Sequence, residues 1–273
     1  MLDGLDDLPW SEFQDHYARP ATQMPQLIRT LVTDDVENQR HALEDVFDRI
    51  CHQASVNPLT VVVIPFLVEL LSDGRVQIKA EILSCLRTLA IGLDSDHLYR
   101  MTRVNDHLEE LSGQSGTRAA AALVCYWRVR KAVPDFLRLL DHDQLNVRVE
   151  AAYNLSWFPI DAGESLPQLR NRLVDKGCAT ELANCILSVG LLEYQAMSSD
   201  PVSGIVHPFL TDERDAVRYA SAIYINWHGA NDAARQVLQV LSVSEDAEFS
   251  EIPFHDYAFW FQYAENRLAM RQA

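Results

Sequence analysis

Residues 133–155 read VPDFLRLLDHDQLNVRVEAAYNL, a proline-led apolar segment, an acidic turn and a second apolar segment headed by Arg148. In the second segment Val147, Ala151 and Leu155 recur four residues apart, which is the spacing of one buried helix face. The small side chain of Ala151 allows a neighbouring helix to approach closely. The stretch therefore predicts two packed helices joined by a short turn.

The same two-helix unit recurs along the chain. The clear copies begin at Met24 (MPQLIRTLVTDDVENQRHAL), Ile64 (IPFLVELLSDGRVQIKAEIL) and Val206 (VHPFLTDERDAVRYASAI). Weaker copies are HLEELSGQSGTRAAAAL and LPQLRNRLVDKGCATELANCIL. Thr180 heads the second helix of the last of these, and the other second helices are headed by Arg40, Lys79, Arg118, Arg148 and Arg218. The intervals of 30 to 39 residues approach a two-helix repeat length, so we predict an all-α solenoid of about seven antiparallel helix pairs.

Prolines and aspartates recur at fixed places in the unit. Proline is favoured in the first turn of a helix, and we place the starts of first helices at Pro25, Pro65, Pro134 and Pro167. Aspartate caps free N–H groups, and we place the turns before second helices at Asp35, Asp73, Asp143 and Asp212. No alternating apolar run bounded by hairpin residues occurs, so we predict no sheet.

The ends of the chain differ from its middle, as terminal repeats of a solenoid do. We predict one solenoid over residues 1–273, with an N-terminal cap over 1–23, six repeats over 24–230 and a C-terminal helix pair over 231–273. The cap contains a short helix at 10–17, and the last pair comprises helices at 232–241 and 257–271. The final helix, rich in aromatic residues, either seals the stack or forms a binding face.

The charge of the chain restricts its partners. There are 39 acidic and 23 basic residues, for a formal net charge of −16. Such a surface repels nucleic acid phosphates and anionic membranes, whereas it attracts a basic protein. Solubility alone is the other explanation of the charge. We predict a cytoplasmic protein, because the five cysteines are scattered without a CxxC pair and the N-terminus is acidic. We predict no membrane span, because the apolar runs are short.

The second helices resemble the HEAT-repeat signature. The residues that match it are Asp143, Val147, Arg148, Ala151, Ala152 and Leu155, and again Asp212, Val217 and Arg218 with Ser221 in place of alanine. This resemblance implies a right-handed superhelix whose second helices line a concave face. In HEAT-like proteins that face usually holds a protein partner.

The N-terminal third also resembles a group of bacterial HEAT-containing proteins that lack an assigned activity. The matching residues are Trp10, Tyr17, Ala21 and Pro25, followed by His52, Gln53, Thr60 and the PFL run at 65–67. Ala18 and Ala54 stand where that pattern commonly has glycine. The resemblance implies a bacterial origin and no known reaction, and some such genes look like immunity proteins of interbacterial toxin systems.

The sequence offers no convergent catalytic set. It contains no GxGxxG, no GxxxxGK, no HExxH and no His-Glu dipeptide. We therefore predict no enzymatic activity, no cofactor and no metal. His52 and Gln53 either hydrogen-bond the loop that follows them or belong to a small-molecule site. Residues 113–116, GQSG, predict a flexible link between helices.

Non-core positions of the second helices are the candidate partner surface. The first carries an acidic stripe of Glu37, Glu44 and Asp48, and the others add Glu150, Tyr153, Trp157, Tyr224 and Trp227. The alternative for Trp157 and Trp227 is that they pack between repeats. The leading functional hypothesis is an immunity or antitoxin protein that neutralises a basic toxin domain. The alternatives are a scaffold or adaptor and, from another class, an enzyme such as a lyase with a pocket that holds a titrating group.

Overall fold

The computed structural model describes residues 2–100, 102–173, 178–199, 201–229 and 231–241. Within them the chain is mostly α-helical, so the predicted all-α class is confirmed. The chain divides into two compact units, Met1–Asp135 (the N-terminal unit) and Phe136–Ala273 (the C-terminal unit). In the described residues no helix is both long and apolar enough to cross a membrane.

The N-terminal unit contains seven complete helices and one hairpin among its described residues. In chain order they are α1 (Met24–Thr30), α2 (Val36–Ile50), β1 (Cys51–His52), β2 (Ser55–Val56), α3 (Pro58–Leu70), α4 (Lys79–Ile91), α5 (Asp94–Arg100), α6 (Val104–Gly113) and α7 (Thr117–Arg130). Helix α8 (Val133–Leu139) follows. Helix α1 packs on α2, and α7 packs on α3, α4 and α6.

The C-terminal unit is also built of helices joined by short connections in its described part. Its helices are α9 (Leu145–Leu155), α10 (Ala162–Arg172), α11 (Ala179–Gln195), α12 (Ser203–Val206), α13 (Asp215–His228) and α14 (Asp232–Leu241), with short 3₁₀ turns at Pro159–Asp161 and His207–Thr211. Helix α11 packs on α9, α10 and α13, and α13 packs on α14. Helix α14 has the predicted bounds, whereas the predicted helix at 257–271 lies outside the described residues.

Three of the five aligned basic residues, Lys79, Arg148 and Arg218, have a common structural role at the heads of their helices. Lys79 Nζ donates to the carbonyl of Asp73 at 2.6 Å, and an Arg148 guanidinium nitrogen donates to the carbonyl of His142 at 2.8 Å. Arg218 donates to the carbonyl of Asp212 at 2.6 Å. Each bond reaches back six residues, so the side chain folds over the preceding turn and satisfies a carbonyl that the helix cannot.

In the first copy the neighbouring residue takes this role. Gln39 Nε2 donates to the carbonyl of Thr33, again six residues back, and also to the carbonyl of Arg75 at 2.9 Å. Its Oε1 accepts the backbone N–H of Gln77 at 2.9 Å. Arg40 instead pairs with Glu37 and, at 3.3 Å, with Glu81 of α4. The buried amide of Gln39 thus ties the first turn to the next one.

Two of the four aligned aspartates shape their turns through an arginine two residues later. Asp73 Oδ1 accepts the backbone N–H of Arg75 at 2.9 Å, and Asp212 Oδ1 accepts that of Arg214 at 2.9 Å. The side-chain bonds from these arginines lower the pKa of each aspartate. Asp35 behaves as predicted, since its carboxylate accepts the N–H groups of the first turn of α2.

The predicted helix starts are right at Pro25 and Pro134 but wrong at Pro65 and Pro167. Both of the latter lie inside helices, because α3 already begins at Pro58 behind an Asn57–Thr60 capping box and α10 begins at Ala162. A proline inside a helix leaves the carbonyl four residues earlier without its N–H donor. For Pro65 that carbonyl belongs to Val61, and Arg128 of α7 donates to it at 2.7 Å.

The prediction of no sheet is wrong at one place, a two-residue hairpin between α2 and α3. Cys51 pairs with Val56 and His52 with Ser55 in an antiparallel ladder. Gln53 and Ala54 form the turn, and both have positive φ, 49° and 57°. This is the backbone of a type I′ turn, in which Asn and Gly are the usual residues. Because neither is present, the sequence carried no hairpin signal.

The predicted helix at 10–17 is also wrong. Only Trp10–Glu12 forms a 3₁₀ turn, and residues 13–20 make a loop closed by a bridge between Gln14 and Pro20. The buried carboxylate of Asp15 organises the loop by accepting the backbone N–H groups of Tyr17 and Arg19, both at 2.9 Å. Local hydrogen bonding to an aspartate competes with helix formation here.

Ala18 and Ala54, which replace glycine in the resembled pattern, both have left-handed backbones, with φ of 58° and 57°. A left-handed φ costs an L-residue roughly 1–2 kcal/mol, and a change to glycine removes this cost. Part of the gain is lost because glycine gives up more backbone entropy on folding than alanine does. We therefore expect Ala18→Gly and Ala54→Gly each to raise the free energy of unfolding by about 0.5–1 kcal/mol in urea titrations. Ala120→Gly, at an exposed position inside α7, should lower it by a similar amount. If both loop variants were less stable than the wild type, the left-handed backbones of Ala18 and Ala54 would not be strained.

Candidate functional site

An exposed acidic surface runs along α2. Glu37, Glu44 and Asp48 are all exposed, as predicted, and Asp45 adds a fourth exposed carboxylate. They lie on neighbouring turns of one helix, opposite the buried Leu43, Val46 and Ile50. Glu37 is ion-paired with Arg40, so the negative charge is concentrated at Glu44, Asp45 and Asp48.

Tyr17 adds an aromatic side chain beside these carboxylates. Its hydroxyl donates to Asp48 Oδ1 at 2.7 Å, and this hydrogen bond raises the pKa of Tyr17. The residue is 48% exposed, and the Arg19 guanidinium lies 4.6 Å from its ring centre. We call the surface formed by Tyr17, Glu44, Asp45 and Asp48 the α2 face. Sequence reasoning missed Tyr17, because it placed this residue in a capping helix.

An ion pair between Asp15 and Arg49 holds the loop that carries Tyr17 against α2. Asp15 also accepts the side chains of Arg19 at 2.9 Å and of Arg49, on α2, at 3.3 Å. Burial opposes ionisation of Asp15, but the hydrogen bonds from Arg19 and Tyr17 outweigh it and lower the pKa of the carboxyl. His52 is exposed and its ring lies 6.2 Å from that of Tyr17. The hairpin therefore places His52 at the edge of the α2 face.

The aromatic residues predicted on later second helices do not contribute a surface. Tyr153, Trp157 and Tyr224 have no exposed area and Trp227 only 3%, so the expectation that they project from the surface is corrected. The burial of both tryptophans favours the alternative that they pack between repeats, and Trp227 lies against Gly190 of α11. Glu150 is half-buried.

Gly190 of α11 explains why the aromatic side chains of α13 turn inward. A Cβ at Gly190 would lie 2.6 Å from Trp227 Cε3 and 2.7 Å from Tyr224 Cδ2. Because glycine has no Cβ, both rings lie against the backbone of α11. A single sequence does not show which helix faces a given glycine, so this packing could not be anticipated.

A buried ionic network lies beside this contact. The Glu193 side chain has no exposed area. Its Oε1 accepts Arg170 of α10 at 2.8 Å, and its Oε2 accepts the Tyr224 hydroxyl at 2.7 Å and lies 3.2 Å from His228 Nε2. Burial opposes ionisation of Glu193, but the three partners outweigh it, so its pKa lies below the ordinary value. The carboxylate fastens α10, α11 and α13 together and has no surface to offer a ligand.

An open cleft of about 360 Å³ lies elsewhere in the N-terminal unit. The hairpin tip forms one wall, the C-terminal end of α4 forms the floor, and the α6–α7 turn forms the other wall. Gln53 and the GQSG link at 113–116 thus meet at one cavity. Its polar groups are Gln53, Ser55, His107, Gln114, Ser115 and Arg118.

Two side chains of the cleft that can carry a positive charge, His107 and Arg118, have different environments. Burial and the neighbouring His97, whose ring centre is 4.9 Å away, lower the pKa of His107, and His107 is therefore neutral at pH 7. Arg118 is exposed and, within the described part of the chain, forms no ion pair or hydrogen bond. The cleft therefore presents one uncompensated positive charge above an apolar floor.

The buried cysteines Cys51 and Cys125 are not activated nucleophiles. Burial raises the pKa of the Cys51 thiol to about 11 and that of Cys125 to about 12, so both remain protonated at neutral pH. Across the described ranges no three His, Cys, Asp or Glu side chains converge as a metal site. Comparison with protein-family models gives no match, and no curated protein matches the chain at a significant level.

Proposed function

We propose that this chain is a protein-binding protein that holds a basic segment of another protein against the α2 face. The observation that carries the proposal is the cluster of three exposed carboxylates beside a half-exposed tyrosine on a rigid support. Carboxylates attract lysine and arginine side chains, and an aromatic ring packs against their aliphatic stems or guanidinium planes. The formal net charge of −16 steers the encounter.

The proposal includes a solenoid architecture. Its support is that successive second helices are neighbours: Arg40 links α2 to α4, α4 packs on α7, and α11 packs on both α9 and α13. Turns of the same design precede α4 and α13. A HEAT-type stack would place the α2 face among the inner helices of an extended binding surface.

For the biological role we propose an immunity or antitoxin protein that acts in the bacterial cytoplasm on a basic toxin domain. This role rests on the resemblance of the N-terminal third and on the charge, and a scaffold or adaptor is the alternative with the same binding surface. Neither role involves nucleic acid, a membrane surface or catalysis by this chain.

The test is a binding titration with the protein encoded by the adjacent gene. The variant Glu44→Gln/Asp45→Asn/Asp48→Asn should weaken the complex about 10- to 100-fold, because truncating charges opposite a basic partner removes attraction and leaves its cations unpaired. The wild-type affinity should also fall as salt rises from 50 to 300 mM. Isothermal titration calorimetry measures both effects.

A charge-matched control separates contact from overall charge. Asp7→Asn/Glu12→Gln/Glu109→Gln removes three exposed carboxylates of the same unit that lie outside α2. It should change the affinity no more than about threefold. Equal weakening by both triple variants would show that only net charge matters, and an unaffected α2 variant would contradict the proposed surface.

A further inference from the structure

We propose that the cleft between the hairpin and the α6–α7 turn binds a small organic anion that has an apolar body. This function is separate from protein binding, since none of the residues that line the cleft belongs to the α2 face. The cleft volume of about 360 Å³ falls at the lower end of the range of small-molecule sites.

The charge of the lining selects an anion. None of the described residues that line the cleft is an aspartate or a glutamate, although the chain contains 39 of them. Arg118 is the one arginine or lysine among these lining residues. Most other guanidinium groups described above are held by carboxylates or carbonyls, whereas Arg118 is available. A bound carboxylate would therefore gain a charge-assisted hydrogen bond from Arg118 without displacing an existing ion pair.

Other donors converge on the same place. Gln53 and Gln114 contribute side-chain amides from opposite walls, and Ser115 contributes a hydroxyl. No side chain caps α7, whose N-cap residue Gly116 has a φ of 135° and lines the cleft. These groups supplement Arg118 in binding an anionic group.

The rest of the lining is apolar and accounts for the second part of the ligand. Leu89, Ala90 and Ile91 from the end of α4 lie between Val56 on the hairpin and Ala119 and Ala122 on α7. His107 adds a neutral imidazole, and Glu110, the carboxylate that acts on it, is not among the residues that line the cleft. Inorganic phosphate alone would leave this apolar part unfilled, so we expect a ligand with a carbon body.

The test uses phenylacetate as the probe, with neutral phenylacetamide and inorganic phosphate for comparison. Saturation-transfer NMR and calorimetry should show saturable binding of phenylacetate to the wild-type chain and at least tenfold weaker binding of the other two. Arg118→Gln should weaken phenylacetate at least tenfold, as should Ala122→Leu, which fills the apolar part. Lys131→Gln removes a cation at the other end of α7 and should leave the affinity unchanged.

Urea titration of each variant checks that it is folded. Absence of saturable phenylacetate binding to the wild-type chain would overturn the proposal. Equal binding by the Arg118→Gln and Lys131→Gln variants, or by phenylacetamide, would overturn the anionic part. Because the α2 carboxylate variant should bind phenylacetate normally, failure here is distinguishable from failure of the protein-binding proposal.

Discussion

Gly190→Ala should lower the free energy of unfolding of the C-terminal unit by about 2–3 kcal/mol. The new methyl group would lie 2.6–2.8 Å from ring atoms of Tyr224 and Trp227, well inside van der Waals contact. Both rings are buried, so relief requires α11 and α13 to separate or the rings to leave their rotamers. Urea unfolding followed by tryptophan fluorescence measures the change.

Gly163→Ala is the matched control for this substitution. Gly163 is an exposed residue near the start of α10, and a Cβ there would have no neighbour within 4 Å. Alanine in a helix is favoured over glycine, so this variant should gain about 0.5–1 kcal/mol. A Gly190→Ala protein as stable as the wild type would show that α11 and α13 are not packed as described.

Glu193→Gln should lower the free energy of unfolding by about 3 kcal/mol. The substitution keeps the shape of the side chain but removes the charge that Arg170 and His228 face, and it replaces one of the two acceptor oxygens with an amide nitrogen. Tyr224→Phe removes only one hydrogen bond of the network and should cost about 1 kcal/mol. Equal losses in the two variants would contradict the central place of the carboxylate.

The same network makes stability depend on pH. The pKa of Glu193 is lower in the folded chain than in the unfolded chain, where a glutamate has a pKa of about 4.3. As the pH falls below that value, the unfolded state binds more protons than the folded state does. The stabilisation present at neutral pH is therefore lost as the pH falls through the folded pKa. Unfolding curves between pH 7 and pH 3 should show a smaller decline for Glu193→Gln than for the wild type.

Periodicity in the sequence was sufficient to find the six second helices but not to place the ends of helices. The six predicted second helices correspond to α2, α4, α7, α9, α11 and α13, because a basic or polar head residue and a helical apolar spacing recur in each of them. Pro65 gave the wrong helix start, since its missing hydrogen bond is compensated by Arg128, which is distant in sequence. The hairpin at 51–56 was missed because its left-handed turn residues are not glycines.

The candidate site was predictable only in part, for a similar reason. The exposure of Glu37, Glu44 and Asp48 follows from the apolar stripe of α2 and was predicted correctly. The inward packing of Tyr224 and Trp227 depends on Gly190, which belongs to another helix. Tyr17 reaches the α2 face through a loop organised by Asp15 and Arg49, and no pattern of the sequence encodes that arrangement.

Carboxyl footprinting of the complex with the adjacent gene's protein tests the proposed α2 face most directly. The carboxyl groups are labelled with carbodiimide and glycine ethyl ester, with and without the partner, and located by mass spectrometry. Partner binding should reduce labelling of Glu44, Asp45 and Asp48 at least fivefold and leave Asp7, Glu12 and Glu109 unchanged. Full labelling of the three α2 carboxylates in a saturated complex would contradict the account.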